Sequence, residues 1–333
     1  MRKPVAVLVL WIAAAGFAVA QTPTTESVTV TQTREAIAKF IQTFAKPTRL
    51  TGKLARWEAP ICPVSMGVKD AANDFVTRRI RQVAAEVGAR VDAREKCKPN
   101  IEVFFTKAPQ ALMEDIRQNY SGYVGYYDNR DERDRLTTFA HPIQALYSTA
   151  TRDVRGQINI DTGMRRGGRG VMIILPCTMT GEGVTGAGSS SSSGSSGGGV
   201  RATNLNPKLC TRYMPNAIKA NVTGSRIGDG LRSSFEHVII VVDPRLVAGQ
   251  ELGAVSDYIA MLALTQITPP DGCVSLPSIA NLLAPGCGEP VKGLTPGDMA
   301  YLRGLYRMDA SAFLGGQKSA ISWEMEQALG ERE

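Results

Sequence analysis

Apolar residues follow two spacings along the chain, and these spacings predict helices that alternate with strands. Between residues 70 and 87 they recur every three or four positions, which is typical of one face of an α-helix. The stripe consists of Val76, Ile80, Val83, Ala84 and Val87. Gly88 follows and predicts the end of the helix. The β-prone run at 101–105 predicts a strand, and the alternation favours helices packed on a sheet.

The same spacings predict the remaining elements of an α/β (α+β) fold, in which helices pack on a mixed sheet. Further helices are predicted at 37–44, 109–118, 246–265, 278–283 and 295–306. Further strands are predicted around 61–63 and at 143–149, 156–161, 171–175 and 235–243. Residues 21–31 are polar and predict a loose start or a short strand.

Residues 120–135 combine tyrosines with a dense run of charges. The tyrosines are Tyr120, Tyr123, Tyr126 and Tyr127. We interpret this segment as a long surface loop whose tyrosines cover the edge of the core. The alternative is an exposed aromatic loop that binds a partner.

The first twenty residues have the pattern of a secretory signal peptide. Arg2 and Lys3 precede an uncharged run at 4–20, and Ala18 and Ala20 are the small residues that signal peptidase reads. An uncleaved membrane anchor is the alternative. The pattern predicts a secreted or periplasmic protein with no membrane span after cleavage.

Six cysteines in an exported chain predict disulfides. Spacing alone does not choose among the pairings, and the simplest hypothesis joins neighbours in sequence. It pairs Cys62 with Cys97, Cys177 with Cys210, and Cys273 with Cys287. A metal site is disfavoured because no two cysteines have the C-x-x-C spacing.

The domain organisation follows from a Gly/Ser tract at 186–199, which predicts a disordered insertion because it offers no side chains to a core. If Cys177 and Cys210 pair, they close this insertion at its base. We therefore expect one domain at 52–310. It is preceded by an N-terminal segment with one helix, at 21–51, and followed by a C-terminal helical tail, at 311–333.

The segment Gln250-Glu251-Leu252-Gly253-Ala254 resembles the His-Glu-x-x-His motif of zincin metalloproteases, with both histidines replaced. A strand at 236–243 precedes it, as one lines the substrate cleft of zincins. Residues 294–306 resemble the closing helix of metzincins. The whole chain is also similar to uncharacterised secreted proteins of Gram-negative bacteria. The resemblance implies a zincin-like arrangement with a vestigial cleft.

The chemistry of zinc hydrolysis is missing from that motif. Gln250 and Ala254 stand at the positions of the zinc ligands, where imidazoles are needed. Glu251 matches the general base, and Asp257 is predicted to share a helical face with Gln250. His237, on the preceding strand, faces either the cleft or the opposite layer. The candidate cleft therefore contains Gln250, Glu251, Ala254, Asp257 and His237, and we expect neither metal nor cofactor.

Three functions remain open at this point. The first is a non-catalytic metalloprotease-like protein that binds a peptide or protein in the residual cleft. The second is a hydrolase of unrecognised type that uses Glu251, Asp257 or His237. The third is an envelope structural or interaction protein that uses the tyrosines of 120–127. The formal charge of +7 falls to +5 without Arg2 and Lys3, and gives no indication of nucleic-acid binding.

Overall fold

The structure is a computed structural model, and it describes most of the chain after residue 24. The described residues are 25–94, 96–163, 171–176, 200–202, 209–214, 222–223, 225, 227–267, 272–284, 286–287 and 291–330. The predicted signal peptide at 1–20, the insertion at 186–199 and the Cys177–Cys210 pairing lie outside them.

A six-stranded mixed sheet forms the centre of the fold. Its strands are β1 (Ala55–Arg56), β2 (Pro63–Met66), β3 (Ile101–Phe105), β4 (Ile143–Arg152), β5 (Ile158–Asp161) and β9 (Arg232–Val242). The strand order is β2-β3-β9-β4-β5, and β1 pairs with the beginning of β9. The pairs β1–β9, β2–β3 and β3–β9 are parallel, whereas β4 is antiparallel to both β9 and β5.

A second, antiparallel sheet contains three strands. They are β6 (Val171–Pro176), β7 (Val200–Ala202) and β8 (Leu209–Met214), in the order β6-β8-β7. The strand predicted at 171–175 is thereby confirmed.

Seven α-helices accompany the strands in the described part of the chain. They are α1 (Thr25–Phe44), α2 (Asp70–Glu86), α3 (Pro109–Asn119), α4 (Arg130–Leu136), α5 (Leu252–Leu264), α6 (Pro296–Arg307) and α7 (Leu314–Gly330). Two short 3₁₀ helices lie at Ser121–Val124 and Ile279–Leu283. Helix α6 begins with a capping box, because Thr295 and Asp298 each accept the backbone N–H of the other.

The two faces of the central sheet are covered unequally. Alternate residues of β9, Val238, Ile240 and Val242, belong to a large core that also contains residues of α1, α2, α5, α6 and α7. Their neighbours Ile239 and Val241 belong to a smaller core with α3 and Val124 of the first 3₁₀ helix. Strand β9 is apolar on both faces because both faces are covered.

The segments at both ends of the described chain contribute to the large core. Phe40 and Phe44 of α1 stack with their ring centroids 4.3 Å apart, and Phe40 also meets the ring of Tyr301 in α6 edge-on. Ile321 and Met325 of α7 are fully buried in the same core. Residues 33–51 and 311–330 therefore pack with the central sheet and its helices.

Two predicted disulfides are confirmed. Cys62 pairs with Cys97 across 35 positions, and Cys273 pairs with Cys287 across 14, framing the second 3₁₀ helix. No helix in the described ranges is both long enough and apolar enough to cross a membrane.

Two predicted elements are wrong. Residues 25–31, expected to be loose or extended, belong to α1. The loop expected at 120–135 contains a 3₁₀ helix and α4, whose sequence has no apolar stripe. Helix α4 is instead held at its start by Asn129, whose side chain accepts the N–H of Glu132.

Candidate functional site

The predicted motif helix begins too late to bring Gln250 and Ala254 onto one helical face. Helix α5 starts at Leu252, Glu251 is its N-cap, and Gln250 lies in the preceding turn, where its N–H donates to Val247 at 3.1 Å. Gly249 takes a φ of 94°, which is incompatible with a right-handed helix through this position. The expected helix over 246–265 is therefore wrong in its first turns.

From Ala254 onward, helix α5 is also covered on all sides, whereas the sequence predicted an open face through Ala254 and Asp257. Every residue from Ala254 to Leu264 is buried. Strand β9, predicted to line the cleft, is central: β4 pairs along one edge, and β1 and β3 pair along the other. Gln250 and Glu251 are exposed, but neither belongs to the buried part of α5.

Asp257 forms a structural ion pair instead of facing a cleft. Its carboxylate accepts two N–H groups of Arg79 in α2, one of them at 3.2 Å, and the backbone N–H of Leu294 at 3.0 Å. The hydrogen bond to Asp257 raises the pKa of Arg79. Asp257 thus joins α2, α5 and the segment that leads into α6.

His237 lies on the opposite face of the sheet from α5. It precedes Ile239 by two positions in β9 and so shares its face. Its Nε2 is 3.1 Å from Oε1 of Glu102 in β3, and its ring centroid is 4.6 Å from that of Tyr123. Burial lowers the pKa of His237 below its ordinary value, against the opposing effect of Glu102. The five predicted cleft residues are consequently not brought together.

Comparison with protein-family models, curated proteins and solved structures found no match to this chain.

A different concave surface lies on the His237 side of the sheet, between β3, β9, α3 and the 3₁₀ helix at 121–124. We call it the tyrosine groove, a cavity of about 340 Å³. Its apolar lining is Phe104, Leu112, Ile116 and Ile239, and its polar lining is Glu102, Asp115, Tyr120 and Tyr123. Tyr120 is 55% exposed and Tyr123 is 38% exposed.

The segment that carries the two tyrosines is anchored to β4. The hydroxyl of Ser148 donates to the carbonyl oxygen of Gly122 at 3.3 Å. Gly125 has a φ of 83°, and a Cβ at this position would lie 2.1 Å from the carbonyl oxygen of Tyr147. Only glycine permits this close approach. The tyrosines are therefore presented by a backbone that is fixed on both sides of Tyr123.

The polar groups of the groove are two carboxylates on separate elements. Asp115 accepts a hydrogen bond from Asn119 at 2.7 Å within α3, and Glu102 lies beside His237. Burial lowers the pKa of His237, which favours a neutral imidazole over a cation beside Glu102. The groove is thus apolar with a negative edge.

Three adjacent strands also bring Glu102, His237 and Ser148 close together on this face. Ser148 is the cross-strand partner of His237, and such partners share a face. A serine, a histidine and a carboxylate are the groups of a nucleophilic triad. Here the hydroxyl of Ser148 is buried and donates to Gly122, so it is not presented to a substrate.

The sequence indicated part of this surface. The tyrosine cluster at 120–127 indicates, as the alternative, an exposed binding loop, and it supplies Tyr120 and Tyr123. Glu102, a charged residue inside the strand at 101–105, was the overlooked signal, because charged residues are depleted in buried strands. In the part of the chain that the structure describes, no three His, Cys, Asp or Glu side chains are arranged to hold a metal ion.

Proposed function

We propose that this protein binds a peptide segment of a partner protein in the tyrosine groove, without catalysing a reaction on it. The observation that carries the proposal is the groove itself: an open cavity of about 340 Å³ with an apolar lining and two partly exposed tyrosines at a fixed position. Tyrosine is enriched where proteins bind one another, since its ring is apolar and its hydroxyl is polar.

The ligand that complements the groove has an apolar side chain next to a positive charge. Phe104, Leu112 and Ile239 offer surface to a Leu or Phe side chain, while Glu102 and Asp115 attract Lys or Arg. Small cavities with a few placed polar groups select ligands in this way. A basic, amphipathic peptide therefore fits best.

The proposal includes export of the chain to the periplasm or the exterior. Its supports are the signal-peptide pattern of residues 1–20 and the two disulfides, since disulfides persist in oxidising compartments. A partner in the same compartment, such as another envelope protein, is then the natural source of the peptide.

We propose that the chain is related to zincins by descent, but not that it shares their substrate cleft. The support for this descent is the order of strand β9, helix α5 and helix α6 along the chain. It is the order of the strand, the motif and the closing helix that carry the resemblance. The burial of α5 and the paired edges of β9 argue against peptide binding at 250–257. A hydrolase that joins His237 to Glu251 or Asp257 is disfavoured because the sheet separates them.

The proposal is tested with a fluorescein-labelled peptide that alternates Lys with Leu and Phe, titrated by fluorescence anisotropy. We expect the Tyr120→Ala substitution to weaken binding about tenfold, because a central aromatic contact dominates small interfaces. We expect Asp115→Asn to weaken it about threefold at low salt, with the difference fading as salt rises.

Two control variants match these changes in size and charge. Trp323→Ala removes another exposed aromatic ring, on α7, and Glu251→Gln removes another exposed carboxylate, at the resembling motif. Both are expected to bind the peptide like the wild type. Loss of binding in Glu251→Gln but not in Tyr120→Ala would transfer the site to 250–257 and overturn the proposal.

A further inference from the structure

A second cavity, of about 370 Å³, is lined by three arginines and lies apart from the tyrosine groove. It opens where β1, the start of β9, the turn after α2 and the end of α6 meet. We call it the arginine pocket, lined by Arg56, Trp57, Glu58, Arg90, Arg232 and Tyr306. It shares no lining residue with the groove.

Arg56 is a fixed wall of this pocket. One nitrogen of its guanidinium donates to the carbonyl oxygens of Tyr306 and Met308, each at 2.8 Å, at the end of α6. A cation at this position caps the negative end of the helix dipole. Burial lowers the pKa of Arg56, yet an arginine remains charged in proteins.

The charges around the pocket are not balanced. Glu58 lies 3.3 Å from Arg232 and 3.4 Å from Arg152, and Arg152 also pairs with Glu236 at 2.9 Å. Arg90 donates to the backbone carbonyl oxygen of Glu58. Four guanidinium groups, those of Arg56, Arg90, Arg152 and Arg232, therefore lie near three carboxylates among the described residues, those of Glu58, Glu236 and Asp309, which leaves a net positive charge at the cavity.

We infer that the arginine pocket binds a ligand with a phosphate monoester group, which Arg90 and Arg232 contact directly. A phosphate group supplies the negative charge that this cavity lacks, and each guanidinium presents paired N–H donors that match its oxygens. Arg90 is exposed, and Arg232 retains 39% of its side-chain surface. Glu58 acts as a positioning residue for Arg232.

The pocket also has room and apolar surface for the organic part of the ligand. The indole N–H of Trp57 donates to Ala263 at 2.8 Å, and the hydroxyl of Tyr306 donates to Leu264 at 3.0 Å. Because its hydroxyl is bound within the protein, the half-buried Tyr306 offers ring surface to the cavity, whereas Trp57 is only 4% exposed. An aromatic phosphate ester should accordingly bind more tightly than inorganic phosphate.

The inference is tested by isothermal titration calorimetry at constant ionic strength with inorganic phosphate, phenyl phosphate and acetate. Phenyl phosphate is expected to bind most tightly and acetate least. The Arg90→Gln and Arg232→Gln variants should each weaken phenyl phosphate binding at least about tenfold, which is the usual scale for a hydrogen bond to a charged group. Arg245→Gln is the matched control, because Arg245 is exposed just past the other end of β9.

A second arm distinguishes a soluble ligand from a lipid headgroup. Vesicles with phosphatidic acid present the same phosphate monoester as phenyl phosphate, and vesicles of phosphatidylcholine alone are their control. Binding to either probe that depends on Arg90 and Arg232 supports the inference. Acetate binding as tight as phosphate binding, or equal losses in Arg245→Gln, overturns it, as does an absence of binding to every phosphate probe. None of these results bears on the peptide groove.

Discussion

Asp257 shows at the residue scale why a charged side chain near a motif need not belong to a site. The carboxylate is buried and satisfied by Arg79 and by the backbone of Leu294. Helical spacing relates Asp257 to Ala254 within α5, but spacing does not say which element covers a face of the helix. Arg79 is not part of the apolar stripe of α2, and nothing in the sequence joins it to Asp257.

The Asp257→Asn substitution should destabilise the protein by about 2–4 kcal/mol, because it leaves Arg79 facing a neutral group in a largely buried pair. Urea unfolding followed by circular dichroism measures the change. Arg79→Met/Asp257→Leu, which replaces the pair with apolar groups, should recover part of the loss. Glu251→Gln is the control and should change the free energy of unfolding by less than about 0.5 kcal/mol. Equal changes in the free energy of unfolding for Asp257→Asn and Glu251→Gln would contradict the structural role of Asp257.

His237 predicts a pH dependence of stability. Its folded pKa lies below the ordinary value of 6.5 because it is buried. The unfolded chain therefore takes up a proton first as the pH falls, so stability is present above about pH 6.5 and is lost below it. The neighbouring charges are Glu102, which opposes this shift, and Lys98, which adds to it.

We expect the His237→Gln variant to lose less stability between about pH 7 and about pH 5 than the wild type, by on the order of 1 kcal/mol. Urea unfolding at both pH values gives this difference. His141→Gln removes the other histidine and should keep the wild-type difference. A steeper loss in His237→Gln than in the wild type would refute the assignment.

At the scale of elements, local sequence signals predict those helices that bury a single apolar face or carry a recognisable cap. The stripe of α2 and the capping box of α6 are read directly from spacing and residue type. Spacing does not predict helix α4, because its stability comes from a cap and charges and not from an apolar stripe. For helix α5 the spacing predicts an open face, which is wrong. The thirteen residues of the helix include a single charge, Asp257, and such a composition indicates a helix that is buried on every side.

The start of α6 holds two elements together through Asp298. Its carboxylate accepts the hydroxyl of Ser278 at 2.6 Å and the N–H groups of Ile279 and Thr295 at 2.8 and 2.9 Å. Ser278 and Ile279 belong to the start of the 3₁₀ helix at 279–283. Asp298 thus joins this helix to α6 while completing the capping box.

Asp298→Ala should consequently destabilise the protein more than loss of the cap alone. We expect about 3–5 kcal/mol, because several buried donors lose their acceptor together. Thr295→Ala should cost about 1–2 kcal/mol, the usual value for an N-cap. Thermal and urea unfolding compare the two, and a smaller effect for Asp298→Ala than for Thr295→Ala would contradict the account of this junction.

At the scale of the whole molecule, the order of strands decides where a site can form. The sequence predicted the strands at 101–105, 143–149 and 235–243, but not that the last of them lies between the other two. Strand order depends on long-range pairing, which local spacing does not encode. With β9 central, His237 and α5 face opposite layers. The predicted cleft is therefore divided, and the concave, aromatic surface lies on the other side.

The location of the peptide site is the central claim, and photo-cross-linking tests it most directly. The basic probe peptide, with benzophenone in place of its Phe side chain, is irradiated in complex with the protein, and the attachment sites are mapped by mass spectrometry. We predict cross-links within 102–104 and 112–123, which disappear with excess unlabelled peptide. Competed cross-links confined to 250–257 would contradict the claim.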